Sequence, residues 1–262
     1  MANPKRDRPA RLVLEFSGEH VQEHAIDAVA QLARLSSMAL LGLFIEDAGL
    51  MAAASLPFVR QFDASRRAWT RLSQERLQEE LAALAATLRR NLERSAARSG
   101  VPAEFSVMRG DPGAALVSHT GPGDWIAVFD SIASWPRRRL GAAAGTVFVP
   151  RGAAPRHGPI VAVAGSADDL AIAFAKLLAE AAERDLVVVD LPQEHSKGYW
   201  LARRGGTTAS TAAPEAPPRQ PQVSLPHASL VVLSAATLER FGDQVLALAA
   251  GRGEPWLVLA QS

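Results

Sequence analysis

The stretch Pro159–Pro192, "PIVAVAGSADDLAIAFAKLLAEAAERDLVVVDLP", decides the fold class. Ile160 to Ala164 is a short apolar, β-branched run and Gly165-Ser166 punctuates it. From Asp168 to Arg184, Leu170, Phe174, Leu177, Leu178 and Ala181 recur at helical spacing, and Leu186 to Val189 is a second apolar run. The reading is strand, turn, helix, strand. Continuous apolar runs of this length suit strands covered on both faces, so the unit predicted is a βαβ crossover in a parallel sheet.

Working outward, the same pattern occurs before it. Arg11 to Phe16 reads as a buried strand, followed by a helix carrying Val21, Ala25, Val29 and Leu32; "ALLGLFI" (Ala39 to Ile45) is a further strand. After an apolar loop or short helix from Ala48 to Phe62, a long helix is expected from about Ser65 to Ser99. Its stripe is Trp69, Leu72, Leu77, Leu81, Leu84, Leu88 and Leu92, and Gly100 with Pro102 stops it. "AEFSVMRGDPGAALVSHT" reads as strand, turn and short helix; "DWIAVFD" and "TVFVP" are the remaining strands of the first half. Connection and handedness rules then predict a doubly wound parallel sheet.

The pattern restarts after "RGAAPRHG". We expect a complete α/β unit over residues 1–151 and a second, truncated unit over 158–262, packed as an internal pseudo-dimer with "TVFVP" and "PWLVLA" at the seam. Between the second strand of the later half and "SLVVLS" lie residues 191–228, too few for the helix and strand that the first half carries there. Residues 193–227 are rich in Gly, Thr, Ala and Pro, and disorder is expected near 203–222. At the mouth of this stretch, "GYWLARRGG" reads equally as a docking motif or as a loop anchor.

Bulk properties exclude several functions. The chain has 262 residues, 48% of them apolar, enough for a substantial core. A formal net charge of +1 gives no global field to recruit nucleic acid or an anionic membrane. The absence of cysteine removes disulfides, thiolate nucleophiles and sulfur-ligated zinc together. The N-terminal apolar run is too short for a signal peptide, and no run reaches about 18 uninterrupted apolar residues. The expectation is a cytoplasmic protein with no membrane insertion, no nucleic-acid partner, and a protein partner or a second copy of itself.

Both halves resemble the universal stress protein family in tandem form. The residues that carry the resemblance are "LVLEFSGE" (12–19), "LLGLFIED" (40–47) and "VMRGDPGAALVSHTGPGDWIAVFD" (107–130) in the first half, with "IVAVAGSADDLAIAFAKLLAEA" (160–181) and "SLVVLS" (229–234) in the second. ATP-binding members use an acid at the end of the first strand and a G-x2-G-x9-G-[ST] loop after the fourth, where glycine backbone and a helix N-terminus receive phosphate. The resemblance places Glu15 at the acidic position of the first half and Ala164 at that of the second. Asp130 and Ala133 stand where the first two loop glycines would be, with Gly141 and Gly145-Thr146 nearby.

It therefore implies a non-catalytic regulatory or adaptor protein with degenerate nucleotide sites and no cofactor. The alternative is a sensor of ATP, AMP or a small anion in the first half. Candidate ligand residues are Glu15, Gly110, Arg137, Arg138, Gly145, Thr146, Gly165 and Ser166. Five of these have plainer readings beside the functional one. Gly165-Ser166 with Asp168 reads as a helix cap, Gly110 belongs to a Gly-Asp-Pro cap, and Arg137 and Arg138 belong to a solvated arginine loop. "HVQEH" gives a third class, a metallo-hydrolase through His20, Glu23 and His24, for which no third ligand is identifiable. No serine elbow, P-loop or dinucleotide motif occurs.

Overall fold

A computed structural model describes residues 10–16, 21–63, 67–137, 143–150, 153, 157–191, 199–203, 206–207 and 225–260. In chain order the first half comprises β1 (Arg11–Phe16), α1 (Glu23–Leu35), β2 (Ala39–Asp47), α2 (Ala48–Ala54), β3 (Arg60–Asp63), β4 (Ala68–Arg71), α3 (Gln74–Ser99), β5 (Ala103–Gly110), α4 (Pro112–His119), β6 (Trp125–Val128), a 3-10 helix (Ile132–Arg137) and β7 (Gly145–Phe148). The second comprises β8 (Ile160–Ala164), α5 (Leu170–Ala182), β9 (Leu186–Asp190), β10 (Tyr199–Arg203), β11 (Gly206–Thr207), β12 (Leu230–Ser234), α6 (Ala235–Arg240), α7 (Gly242–Ala249) and β13 (Trp256–Leu259).

Eleven of these strands form one sheet in the order β11-β10-β9-β8-β12-β13-β7-β6-β1-β2-β5. Within each half the main strands are parallel, and the halves join where β7 pairs antiparallel with β13. In that seam Val147 lies opposite Leu257 and Phe148 opposite Trp256. All four are buried. The strands expected from apolar runs are all present; β1, β2, β6, β7, β8, β12 and β13 are covered on both faces, while Leu186 to Val188 of β9 are half-buried. Leu12, Leu14, Phe16, Ile160 and Ala162 meet α1, α3 and α5, while Val13, Ile126, Val161 and Val231 belong to the core on the α4, α6 and α7 side.

Two expectations are corrected. The long helix begins at Gln74, where Ser73 caps it through the Arg76 N–H, and the preceding residues form the β3–β4 hairpin. Trp69, read as part of the helical stripe, faces Phe62 across that hairpin and is 65% exposed. The reason is local: Phe62, Trp69 and Thr70 are residue types that pair well across strands, and Ser73 caps the helix where the hairpin ends. The second correction falls within 193–227, where Tyr199–Arg203 pairs antiparallel with β9 and extends the sheet. "YWLAR" is thus a strand segment, whereas most of the 203–222 stretch lies outside the described residues.

Tight packing of α3 on the sheet depends on Gly42 of β2. A Cβ there would stand 2.7 Å from both Leu92 Cδ2 and Phe105 Cδ2. Gly42→Val is expected to destabilise by about 1–3 kcal/mol through overpacking. Chemical denaturation would read this as a lowered midpoint with unchanged slope.

Candidate functional site

In a doubly wound sheet, ligands bind outside the carboxyl ends of the strands where the order reverses. Here the reversals lie between β1 and β6 in the first half and between β8 and β12 in the second. Because β7 and β13 run antiparallel, the two crevices open at opposite edges of the sheet.

The second crevice is filled by the chain's own side chains. Gly165 follows β8, and its N–H donates to Asp169 Oδ2 at 3.2 Å and Thr237 Oγ1 at 3.1 Å. Thr237 Oγ1 in turn donates to Asp169 Oδ2. Ser234 Oγ lies 3.2 Å from Asp169 Oδ2 and 3.1 Å from Thr237 Oγ1, and it caps α6 by accepting the Thr237 N–H. Asp169 Oδ1 caps α5 by accepting the Ala171 N–H at 3.0 Å. One carboxylate therefore ties the turn after β8, the start of α5 and the start of α6. A Cβ on Gly165 would stand 2.8 Å from Phe241 Cε2 and 3.0 Å from Thr237 Oγ1. The glycine is needed for this close approach.

The cap is Asp169, one residue beyond Asp168 and not the Ser166 or Asp168 proposed from sequence; Ser166 is exposed in the turn. Asp190 closes β9 beside Ala164, and burial pushes its carboxyl above the ordinary value. Sequence reading missed Asp169, Ser234, Thr237 and Phe241. The S-x-x-T spacing of Ser234 and Thr237 at a helix start was the available signal.

The first crevice differs. Glu15 is buried near the carboxyl end of β1, beside Leu43 of β2 and on the sheet face that carries α4. Gly110 ends β5 at the same end, and among the described residues beyond its chain neighbours no atom lies within 4 Å of where its Cβ would be. Asp111 caps α4 through the Ala114 N–H at 2.8 Å and Pro112 takes the first helical turn, so the cap reading accounts for this motif. After β6 the backbone donors turn inward. The Asp130 N–H bonds to the Val128 carbonyl, Ser131 N–H to Asp130 Oδ1, Ala133 N–H to Ser131 Oγ and Ser134 N–H to the Ser131 carbonyl. Arg137 ends the 3-10 helix at this edge; Arg138 lies outside the described residues.

Gly145 and Thr146 do not join Glu15. They belong to β7, in register with Trp125 and Ile126, and so with Leu12 and Val13 two strands away. That puts them two to three residues before Glu15, roughly 7–10 Å along the strands. Both contact the seam, where Gly145 pairs with Leu259 and Thr146 with Val258.

Glu23 accepts two hydrogen bonds of 2.9 Å from Arg94 and one of 3.2 Å from Arg98, which hold its carboxyl below the ordinary value. His24 is exposed, His20 lies outside the described residues, and no group of three metal-ligating side chains occurs among the described residues. No described helix is long and apolar enough to cross a membrane.

No protein-family model and no curated protein matches the sequence. Solved structures do match. A universal stress protein from Archaeoglobus fulgidus superposes with a TM-score of 0.52 at 10% identity, over 95% of this chain and 96% of that one. A putative universal stress protein from Pseudomonas aeruginosa gives 0.47 at 13% identity, over 98% and 95%. The sheet order, the two reversals and the first of these superpositions agree that this chain has the universal stress protein fold.

Proposed function

We propose that this chain is a non-catalytic regulatory or adaptor protein of the universal stress type, acting through protein contacts, in which nucleotide binding is lost or weakened. The observation that carries this reading is the occupied turn at Gly165. A phosphate-binding turn works by aiming unspent N–H groups at an anion. Here the Gly165 N–H is taken by Asp169 and Thr237, and a carboxylate sits at the turn itself. The loop after β6 supports the same conclusion for the first half, since four successive or near-successive N–H groups are satisfied locally and Asp130 contributes a negative charge. We further read the halves as tandem units, 1–151 and a shortened 158–262, meeting as an internal pseudo-dimer at the β7–β13 pair.

A second reading is favoured by one observation, that Glu15 and the 3-10 helix ending at Arg137 lie at the carboxyl end of the β1/β6 reversal, with Gly110 ending β5 two strands away on the same side. It is a sensor of ATP, AMP or a small anion in the first half. Mass spectrometry of small molecules released on denaturing the purified protein separates the two. The adaptor reading expects no stoichiometric nucleotide; a bound nucleotide near one equivalent would replace it with the sensor.

A further inference from the structure

Among the described residues the β3–β4 hairpin pairs with no other strand, and both its outer edges are open. Its register sets Phe62 opposite Trp69 and Arg60 opposite Arg71, so these four side chains share one face, with Gln61 and Thr70 on the other. The orientation is inverted relative to an ordinary amphipathic hairpin. Gln61 and Thr70 are half-buried, while Phe62 is 53% and Trp69 65% exposed, their rings edge-to-face at 5.4 Å. Phe58, just before β3, is 75% exposed. Arg60 and Arg71 are also exposed, and like charges directly opposed across two strands are destabilising. Among the described residues Arg60 and Arg67 form no ion pair, and Arg71 has the Glu75 carboxylate in its neighbourhood.

We propose that this hairpin docks an extended, acidic segment of a protein partner as a strand added at an edge, with its apolar side chains against the Phe62–Trp69 pair and its carboxylates against Arg60 and Arg71. The proposal rests on the protein-contact reading above and names the surface that makes the contact. Charge selects an acidic partner, because exposed Arg60 and Arg71 stand directly opposed on this face, with the Glu75 carboxylate near only the second of them. The open edges select a peptide strand, which can satisfy their backbone groups as an added strand. A bilayer would have to bury those same N–H and C=O groups without partners. A second copy placed face to face would add two more arginines to the pair already opposed.

The test is selection of a phage-displayed random dodecapeptide library on the full-length protein, with counter-selection on Arg60→Glu/Arg71→Glu. Enriched peptides should alternate Asp or Glu with apolar residues. Their synthetic forms should lose at least about tenfold in affinity for that variant and for Trp69→Ala, as expected of Arg and Trp at an interface centre. Binding should weaken with salt. Matched thermal melts establish that the variants are folded. Enrichment of basic or charge-independent peptides, no enrichment, or equal binding to wild type and variants overturns the proposal. So does hairpin-dependent binding to phosphatidylglycerol vesicles in place of peptides. Nucleotide found in the purified protein would overturn the adaptor reading while leaving peptide selection as a separate result.

Discussion

Asp124→Ala is expected to cost the fold about 3–5 kcal/mol, because it leaves a buried guanidinium unpaired. Arg11 opens β1 and Asp124 immediately precedes β6, and both side chains are 8% exposed. Arg11 Nη2 donates to Asp124 Oδ2 at 2.7 Å and to the His119 carbonyl at 2.8 Å, while the Arg11 and Gly121 N–H groups each donate to the carboxylate at 2.9 Å. One pair thus fixes the amino ends of two adjacent strands and the end of α4. Burial by itself would raise the Asp124 carboxyl, but Arg11 and the two N–H groups together hold it below its ordinary value.

The sign of the pH dependence follows. A depressed folded pKa contributes stability above the unfolded value near about 3.9, and the contribution disappears as pH falls through the folded one. The gap between wild type and Asp124→Ala should be full at neutral pH and narrow in acid. Urea titrations at several pH values read this directly. The double variant Arg11→Ala/Asp124→Ala should lose less than the two single losses added together.

The second large effect is expected at Asp169. Asp169→Ala removes the α5 cap and the acceptor shared by Gly165 N–H, Thr237 and Ser234, so a loss of about 2–4 kcal/mol follows from a missing cap and stranded polar groups. Asp169→Asn keeps an oxygen for the cap and should recover part of it. An equal loss in both variants would mean that charge dominates, contrary to the hydrogen-bond account. Hydrogen exchange should show the deprotection centred on the starts of α5 and α6, since local opening follows local loss of contacts.

Most of the sheet was legible because its strands are covered on both faces and so read as uninterrupted apolar runs. The β3–β4 hairpin was not. Trp69 and Leu72 stand three apart, which matches a helix stripe as well as anything in the following helix, and four-residue strands are too short to reveal a period of two. Tyr199–Arg203 was obscured by the Gly- and Pro-rich sequence after it, although its pairing with β9 is tertiary and leaves little local signature. At the candidate sites, sequence located the turn at Gly165 but not what faces it. Thr237 and Phe241 come from about seventy residues later, and only the β8–β12 pairing brings them there. Gly145-Thr146 matched a loop pattern by residue type, yet their place inside β7 depends on where the strand begins.

The central claim, that nucleotide binding is lost or weakened, is tested most directly by the thermal midpoint of the full-length protein across an ATP titration with magnesium. A ligand held by the native state alone contributes about 2.7 kcal/mol at a hundredfold excess over its Kd. The account predicts a midpoint that stays flat through the titration. A midpoint that climbs with ATP, and climbs less in Glu15→Ala, would contradict it and assign the first crevice to a nucleotide.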